Sequence, residues 1–173
     1  TKPTPTPTPK PPTPEKGPAN VGIPSGVKLK KTTGNMYITK AGTVVDGIDL
    51  YGRVIVQAPN VVIKNSFIRG DGTTKKTPVV LNQSTDLLIK DSEIAARTPH
   101  PDVLGVIGSN FTLERVNIHD VLDPVHIFGE GNVVVKDSWL HGNLHFESLP
   151  ELNGGPSHDD SIQIISGSNI VIT

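Results

Sequence analysis

The chain has 173 residues, a formal net charge of −1 at pH 7, 35% hydrophobic residues and only 4% aromatic residues. This balance excludes the strongly basic profile of a nucleic-acid-binding domain, and the hydrophobic share favours a packed core over disorder. Because cysteine is absent, neither a disulfide framework nor a thiolate metal site can form. No apolar run approaches the roughly 20 residues that a membrane span needs.

Residues 1–20 form a tract of alternating proline and threonine that begins Thr-Lys-Pro-Thr-Pro. Such a segment cannot bury a core and is typical of an extended polyproline II spacer, about 3 Å long per residue. The sequence therefore predicts a linker over residues 1–20, which either joins an upstream domain or is a disordered tail. We favour the upstream domain, because spacers of this composition usually join modules. Residues 21–173 have a different pattern.

A degenerate unit recurs along residues 21–173. It reads Pro-Asn-Val-Val-Ile-Lys-Asn-Ser-Phe-Ile over residues 59–68, returns over 85–94, and recurs from Asn110 and from Asn132. A fifth copy begins at Asn169, and a looser copy begins at Gly42. A unit that recurs every 20 to 40 residues, roughly, predicts a stacked solenoid.

The first residue of each copy serves as an anchor for alignment: Gly42, Asn60, Asp86, Asn110, Asn132 and Asn169. Apolar residues recur one, three and eight positions after the anchor and five and seven positions before it. Such alternation predicts three short strands per repeat, with the apolar side chains turned inward. The anchor types tolerate a left-handed backbone, and stacked Asn side chains can hydrogen-bond to one another along the column.

We therefore predict an all-β right-handed parallel β-helix over residues 21–173, with about five rungs. At about 4.8 Å per rung it is roughly 25 Å tall. The chain stops within a rung at Thr173, which leaves an apolar end, so we expect a truncated solenoid that continues beyond this residue. We expect a monomer.

Two aspartates align in neighbouring rungs. The segments 122–126 and 159–163 occupy equivalent positions, so Asp123 falls one rung below Asp160 and His126 one rung below Gln163. Carboxylates about 5 Å apart repel by roughly 3 kcal/mol at an effective dielectric constant near 20. This repulsion raises one pKa unless a cation lies between them. The column predicts a site that uses an acid or a divalent ion.

Further polar and aromatic residues are expected near this edge. His119 and His141 both leave the third strand of their repeats, and His158 directly precedes Asp159. Trp139 shares an outward column with Phe67 and could stack on a sugar ring. Each of these residues could instead have a purely structural role, such as capping a turn or standing in a column of solvated side chains. The sequence predicts as catalytic Asp123, Asp159, Asp160, His126 and His158, and as substrate-binding Gln163, His119, His141 and Trp139.

The segment Ser-His-Asp-Asp-Ser-Ile-Gln-Ile over 157–164 resembles the paired-aspartate strand of polygalacturonase-type glycoside hydrolases. Residues 21–173 as a whole resemble the pectin-lyase-like superfamily of right-handed β-helices. This resemblance implies a secreted, extracellular protein of the bacterial type that acts on a polysaccharide. It also implies acid/base roles for Asp159 and Asp160. Asp123 stands where the preceding rung of those hydrolases supplies another aspartate, although their Asn-Thr-Asp motif is absent here.

Four functions are open at this point. In a hydrolase of an acidic, pectin-like polysaccharide, Asp159 or Asp160 protonates the glycosidic oxygen and Asp123 activates water. In a lyase, the carboxylates hold Ca²⁺ and a histidine or Arg97 takes the sugar proton. Ca²⁺ is the one cofactor that these functions call for.

The other two functions are not polysaccharide cleavage. A non-catalytic carbohydrate-binding or adhesion module agrees with the linker and with the lack of a complete catalytic motif. A transition-metal site that uses His119, His141 and His158 is the fourth.

Overall fold

The structure is a computed structural model that describes residues 18–72 and 77–173. Apart from its last three residues, the predicted linker over 1–20 lies outside the described residues. The described chain forms three parallel sheets of six strands each, and it is all-β apart from one turn of 3-10 helix. These features confirm the predicted parallel β-helix. Six strands per sheet correspond to six rungs.

The rungs succeed one another along the chain, and each contributes three strands. The first two rungs contain β1 (Lys30–Thr33), β2 (Met36–Ile38), β3 (Val44–Asp46), β4 (Ile48–Tyr51), β5 (Val54–Val56) and β6 (Val62–Lys64). The next two contain β7 (Phe67–Ile68), β8 (Thr77–Asn82), β9 (Leu87–Lys90), β10 (Glu93–Ala95), β11 (Val103–Gly108) and β12 (Phe111–Glu114). The last two contain β13 (Asn117–His119), β14 (Val125–Ile127), β15 (Gly131–Lys136), β16 (Trp139–Leu140), β17 (Ile162–Ile164) and β18 (Ser168–Ile172).

Equivalent strands of successive rungs pair in parallel. The first strand of each rung belongs to sheet A, the second to sheet B and the third to sheet C. In sheet C, Ile63 pairs with Ile89, and Leu113 pairs with Val135 in the next two rungs. Since alternate residues of a strand point to opposite faces, this register stacks the predicted apolar columns in the interior. Ile63, Ile89 and Leu113 are fully buried.

The anchor residues adopt the predicted left-handed backbone. Asn60, Asn110 and Asn132 have φ angles of 59°, 56° and 52°. The Asn132 Nδ2 donates to Asn110 Oδ1 at 2.9 Å, and the Asn169 Nδ2 donates to Asn132 Oδ1 at 3.0 Å. The anchors therefore turn the chain from sheet B into sheet C and form an asparagine ladder over the last three rungs.

A second left-handed column, which was not predicted from the sequence, lies five residues after the anchors. It includes Asn65, Asp91 and Asp137, with φ angles of 50°, 49° and 49°. A buried serine, Ser66 or Ser92, comes next in two rungs. The Ser92 Oγ accepts the Ser66 N–H at 3.2 Å and donates to the Lys90 carbonyl at 2.7 Å. These hydroxyls satisfy backbone groups at the corner between sheets C and A, where buried polar groups need partners.

An insertion of residues 141–161 separates β16 from β17. It contains one turn of 3-10 helix, Pro150–Leu152, and is closed by an antiparallel bridge between Leu149 and Gly155. Phe146 and Leu149 are 3% and 4% exposed, so the insertion packs on the solenoid through its own apolar side chains. Within the described ranges, no helix is long and apolar enough to cross a membrane.

We expect Asn132→Ala to lower the free energy of unfolding by about 1–2 kcal/mol, because alanine is strained in a left-handed backbone. Asn132→Gly is the matched control. It removes the same ladder hydrogen bonds but tolerates the positive φ, so it should destabilise less. Urea unfolding monitored by circular dichroism measures both. Equal losses for the two variants would contradict a backbone contribution at this position.

Candidate active site

The register of sheet B brings together the two aspartates predicted to lie in one column. Val125 pairs with Ile162, and His126 pairs with Gln163. Two residues earlier, the Asp160 N–H donates to Asp123 Oδ1 at 3.1 Å, across 37 residues of sequence. The vertical alignment of Asp123 with Asp160 is therefore observed.

A cavity of about 290 Å³ opens beside this column, between the outer face of sheet B and the insertion. Its lining comes from three successive rungs and from the insertion. The lining residues are Pro101, Asp102, Leu104, Leu122, Asp123, His126, Leu149, Glu151, Leu152, Ser157, His158 and Gln163. Four residues predicted as catalytic or substrate-binding, Asp123, His126, His158 and Gln163, thus share one cavity.

Asp123 is buried, with 4% of its surface exposed, whereas Asp160 is exposed. Burial is the largest influence on Asp123 and raises the pKa of its carboxyl above the usual value. The hydrogen bond from the Asp160 N–H and the nearby His126 oppose this rise, and the Asp160 carboxylate adds to it. The sequence predicted a raised pKa from charge repulsion, but desolvation outweighs the repulsion because the Asp123 side chain is buried.

His126 lies at the wall of the cavity next to Asp123. Its Nδ1 is buried, has no hydrogen-bond partner among the described residues, and lies 3.6 Å from Asp123 Oδ2. A buried polar atom without a partner is costly, and catalytic hydrogen bonds are often long before a substrate binds. A small movement of either side chain would join them and hold the imidazole in one orientation.

Asp159 points away from the cavity, although it was predicted as catalytic beside Asp160. Its Oδ1 accepts a hydrogen bond from Ser157 Oγ, and its Oδ2 lies 2.5 Å from His145 Nδ1. The Asn143 Nδ2 donates to the Asp159 carbonyl at 2.9 Å. Asp160, also predicted as catalytic, contacts Asp123 through its backbone N–H, and neither it nor Asp159 lines the cavity. Asp159 instead fastens the two ends of the insertion to each other.

The predicted substrate-binding residues His119, His141 and Trp139 lie on the outer face of sheet A and do not line the cavity. The His119 and His141 rings stack with centroids 5.2 Å apart, and those of Trp139 and His141 are 3.4 Å apart. The histidines were predicted at the edge that holds Asp123. The structure places them on another face, because residues 120–124 turn the chain from sheet A to sheet B.

His119 lies between two carboxylates. Its Nε2 is 2.9 Å from Glu93 Oε1, and its Nδ1 is 3.0 Å from Asp120 Oδ2. Burial opposes protonation of the ring, but these two hydrogen bonds outweigh it and raise the pKa of His119 to about 9. Burial and the charge of His119 lower the pKa of His141. His119 is thus a cation at neutral pH within an ion-pair network.

Arg97, which the lyase hypothesis offered as a base, also lies away from the cavity. Its guanidinium lies 5.5 Å from the centre of the Tyr51 ring, on the sheet A side of the solenoid. Among residues 18–72 and 77–173, no group of three His, Cys, Asp or Glu side chains has an arrangement that could hold a metal ion. This includes the histidines of the transition-metal hypothesis.

Sequence reasoning missed the part of the cavity that the insertion supplies. Leu149 and Leu152 provide apolar surface, and Glu151 provides a carboxylate. Ser157 also lines the cavity. The signal that could have found them is the spacing of Phe146, Leu149 and Leu152 in a segment otherwise rich in turn residues. Apolar side chains in such a segment indicate packing against the solenoid rather than a free loop.

The chain matches no protein-family model, no curated protein and no solved structure at a significant level. A function must therefore be inferred from the residues and their geometry. They combine a parallel β-helix, a cavity on sheet B, and a buried Asp123 carboxyl that accepts the backbone N–H of the exposed Asp160.

The unfolding free energy should depend on His119 in the alkaline range. Because its folded pKa is raised, protonated His119 stabilises the fold fully below its unfolded pKa near 6.5, and this stabilisation is lost as the pH rises through about 9. We expect a loss of about 2 kcal/mol between pH 6 and pH 10. His119→Gln should flatten this part of the profile. An unchanged profile in urea titrations at several pH values would contradict the ion-pair network.

Asp123→Asn should stabilise the fold at neutral pH. Asparagine can still accept the Asp160 N–H, and its amide can donate to the unpartnered Nδ1 of His126. Because the folded pKa of Asp123 is raised, its charged form destabilises the fold above this pKa, and the penalty disappears as the pH falls. The expected gain is on the order of 1 kcal/mol at pH 7. Unfolding curves at pH 7 and pH 4 test whether the gain shrinks in acid.

Proposed function

We propose that this protein is a secreted polysaccharide hydrolase of the pectin-lyase-like β-helix type. The observation that carries the proposal is the buried carboxyl of Asp123, which lines the cavity, has a raised pKa and accepts the backbone N–H of the exposed Asp160. Glycoside hydrolysis requires two carboxyl groups whose environments separate their pKa values, one kept protonated and one ionised. The extracellular location is part of the same proposal and rests on the sequence resemblance to that superfamily.

Asp123 is the general acid of this proposal. Its raised pKa keeps a proton available at higher pH than an ordinary aspartate does, so it can protonate the glycosidic oxygen. The solvent-exposed Asp160 is the base that activates water. These roles reverse the sequence-based assignment, because the burial of Asp123 raises its pKa and makes it the better proton donor.

His126 and Gln163 support the two carboxyl groups. They occupy successive rungs of the same outward column, and both line the cavity. His126 orients the Asp123 carboxyl through its Nδ1, and Gln163 offers a donor and an acceptor to sugar hydroxyls. Leu149 and Leu152 provide apolar surface against which a sugar ring can pack, as in most ligand sites.

The hydrolase is favoured over the lyase for a chemical reason. A lyase needs a base at the sugar carbon and a cation on the uronate. His126 and His158 line the cavity and offer a base, but no Lys or Arg of the described residues lines it to offer the cation. A Ca²⁺ ion would have to supply the missing charge. A hydrolase needs only the two carboxyl groups that are present.

Activity of Asp123→Asn tests the proposal directly. We expect it to lower kcat on a hydrolysed polysaccharide by about 10²- to 10⁴-fold, the usual contribution of a general acid. Asp160→Asn should give a loss of similar size. Reducing-end release measures hydrolysis, and ultraviolet absorbance of an unsaturated uronate detects lyase activity in the same sample.

The control is Asp137→Asn, which makes the same chemical change at an exposed turn between sheets C and A. It should retain full activity. Wild-type activity in Asp123→Asn would overturn the proposal, and its predicted gain in stability excludes misfolding as the cause of a loss. Binding without turnover that neither substitution changes would instead favour an adhesion module.

A further inference from the structure

The charged residues divide unevenly along the chain. Residues 98–173 contain ten Asp and Glu but only two Lys and Arg, whereas residues 1–97 contain seven and fourteen. Since a solenoid stacks its rungs in sequence order, the rungs that form the cavity belong to the acidic part. The overall charge of −1 hides this division.

The one Arg and the one Lys of the acidic part are engaged elsewhere. The Arg115 Nε lies 2.7 Å from Asp91 Oδ1, and its Nη1 contacts Glu114. The Lys136 Nζ lies 3.5 Å from Glu114 Oε2. These residues lie in sheet C or at its corner with sheet A, so neither neutralises the cavity on sheet B.

The cavity therefore carries carboxylates without a compensating Lys or Arg from the described part of the chain. Asp102 from the solenoid, Glu151 from the insertion and the buried Asp123 all line the cavity. Asp102 retains 38% exposure of its side chain, and Glu151 is exposed, so both can reach a ligand. A uronate in this cavity would meet like charges, and like charges in close contact cost affinity.

We propose that the cavity takes a glycan whose sugars carry protonated amino groups, such as a polymer of 2-amino-2-deoxyhexose, rather than a uronic-acid polymer. This inference refines the proposed hydrolase and replaces the acidic, pectin-like substrate expected from the sequence. Asp102 and Glu151 accept hydrogen bonds from the ammonium groups, and such charge-assisted bonds are stronger than neutral ones. The leucines of the lining pack against the apolar faces of the sugar rings.

Titration calorimetry with Asp123→Asn, which lacks the proposed acid, measures binding without turnover. The probes are three oligosaccharides of equal length, namely glucosamine, N-acetylglucosamine and galacturonic acid oligomers. EDTA is present so that no metal bridges carboxylates, and the pH is below the pKa of the sugar amine. We expect the glucosamine oligomer to bind about tenfold more tightly than its acetylated form, from two or three exposed ion pairs. The galacturonic acid oligomer should bind most weakly.

Charge removal at the cavity provides the second test. Adding Glu151→Gln should weaken binding of the glucosamine oligomer about threefold, the size of one exposed ion pair, and leave the acetylated oligomer unchanged. The matched control is Glu147→Gln, on the same insertion, where the side chain is 75% exposed and does not line the cavity. It should change neither affinity.

The outcomes separate the two proposals. Equal binding of the charged and acetylated oligomers, or tighter binding of the galacturonic acid oligomer, would overturn the cationic-glycan inference, whatever the hydrolase assay shows. Tight binding of the glucosamine oligomer that Glu151→Gln weakens would support the inference even if wild-type protein hydrolysed no polysaccharide. That last result would count against the hydrolase alone.

Discussion

The parallel register between neighbouring rungs is the constraint on which the site depends. Backbone hydrogen bonds hold equivalent strands about 4.8 Å apart, so residues at equivalent positions become neighbours however long the connection between them. The pairing of β14 with β17 places Asp160 over Asp123 across the whole insertion. The two ends of the insertion are also joined to each other through Asp159, which contacts His145 and Ser157.

Polar groups at the corners of the solenoid have hydrogen-bond partners, whereas the polar groups in unfavourable surroundings are concentrated in the cavity. At the corners, asparagine side chains and buried serines pair with one another or with the backbone, as Ser66 and Ser92 do. At the cavity, Asp123 is buried with a raised pKa, and the Nδ1 of His126 lacks a partner among the described residues. Locally unfavourable arrangements are typical of functional sites and require a rigid surrounding structure.

The repeat predicted the solenoid and the vertical neighbours, because both are consequences of periodicity alone. It could not predict side-chain direction at the turns. The burial of Asp123 and the contacts of Asp159 with the insertion depend on the backbone between sheets A and B, which has no repeat to align. The placement of His119 failed for the same reason. The contribution of Leu149 and Glu151 to the cavity depends on how the insertion packs. Because the insertion occurs only once in the chain, no aligned column of residues predicts this packing.

The uneven distribution of charge along the chain links the solenoid architecture to the chemistry of the cavity. In a globular fold, residues far apart in sequence mix in space, so a charge bias along the chain averages out. In a solenoid the bias persists as a field along the axis, and ten acidic residues against two basic ones leave the last rungs strongly negative. Such a field makes ionisation of the buried Asp123 less favourable, in the same direction as burial does. The field also attracts cations to the cavity. The charge of the substrate and the protonation of Asp123 therefore depend on the same distribution of charged residues.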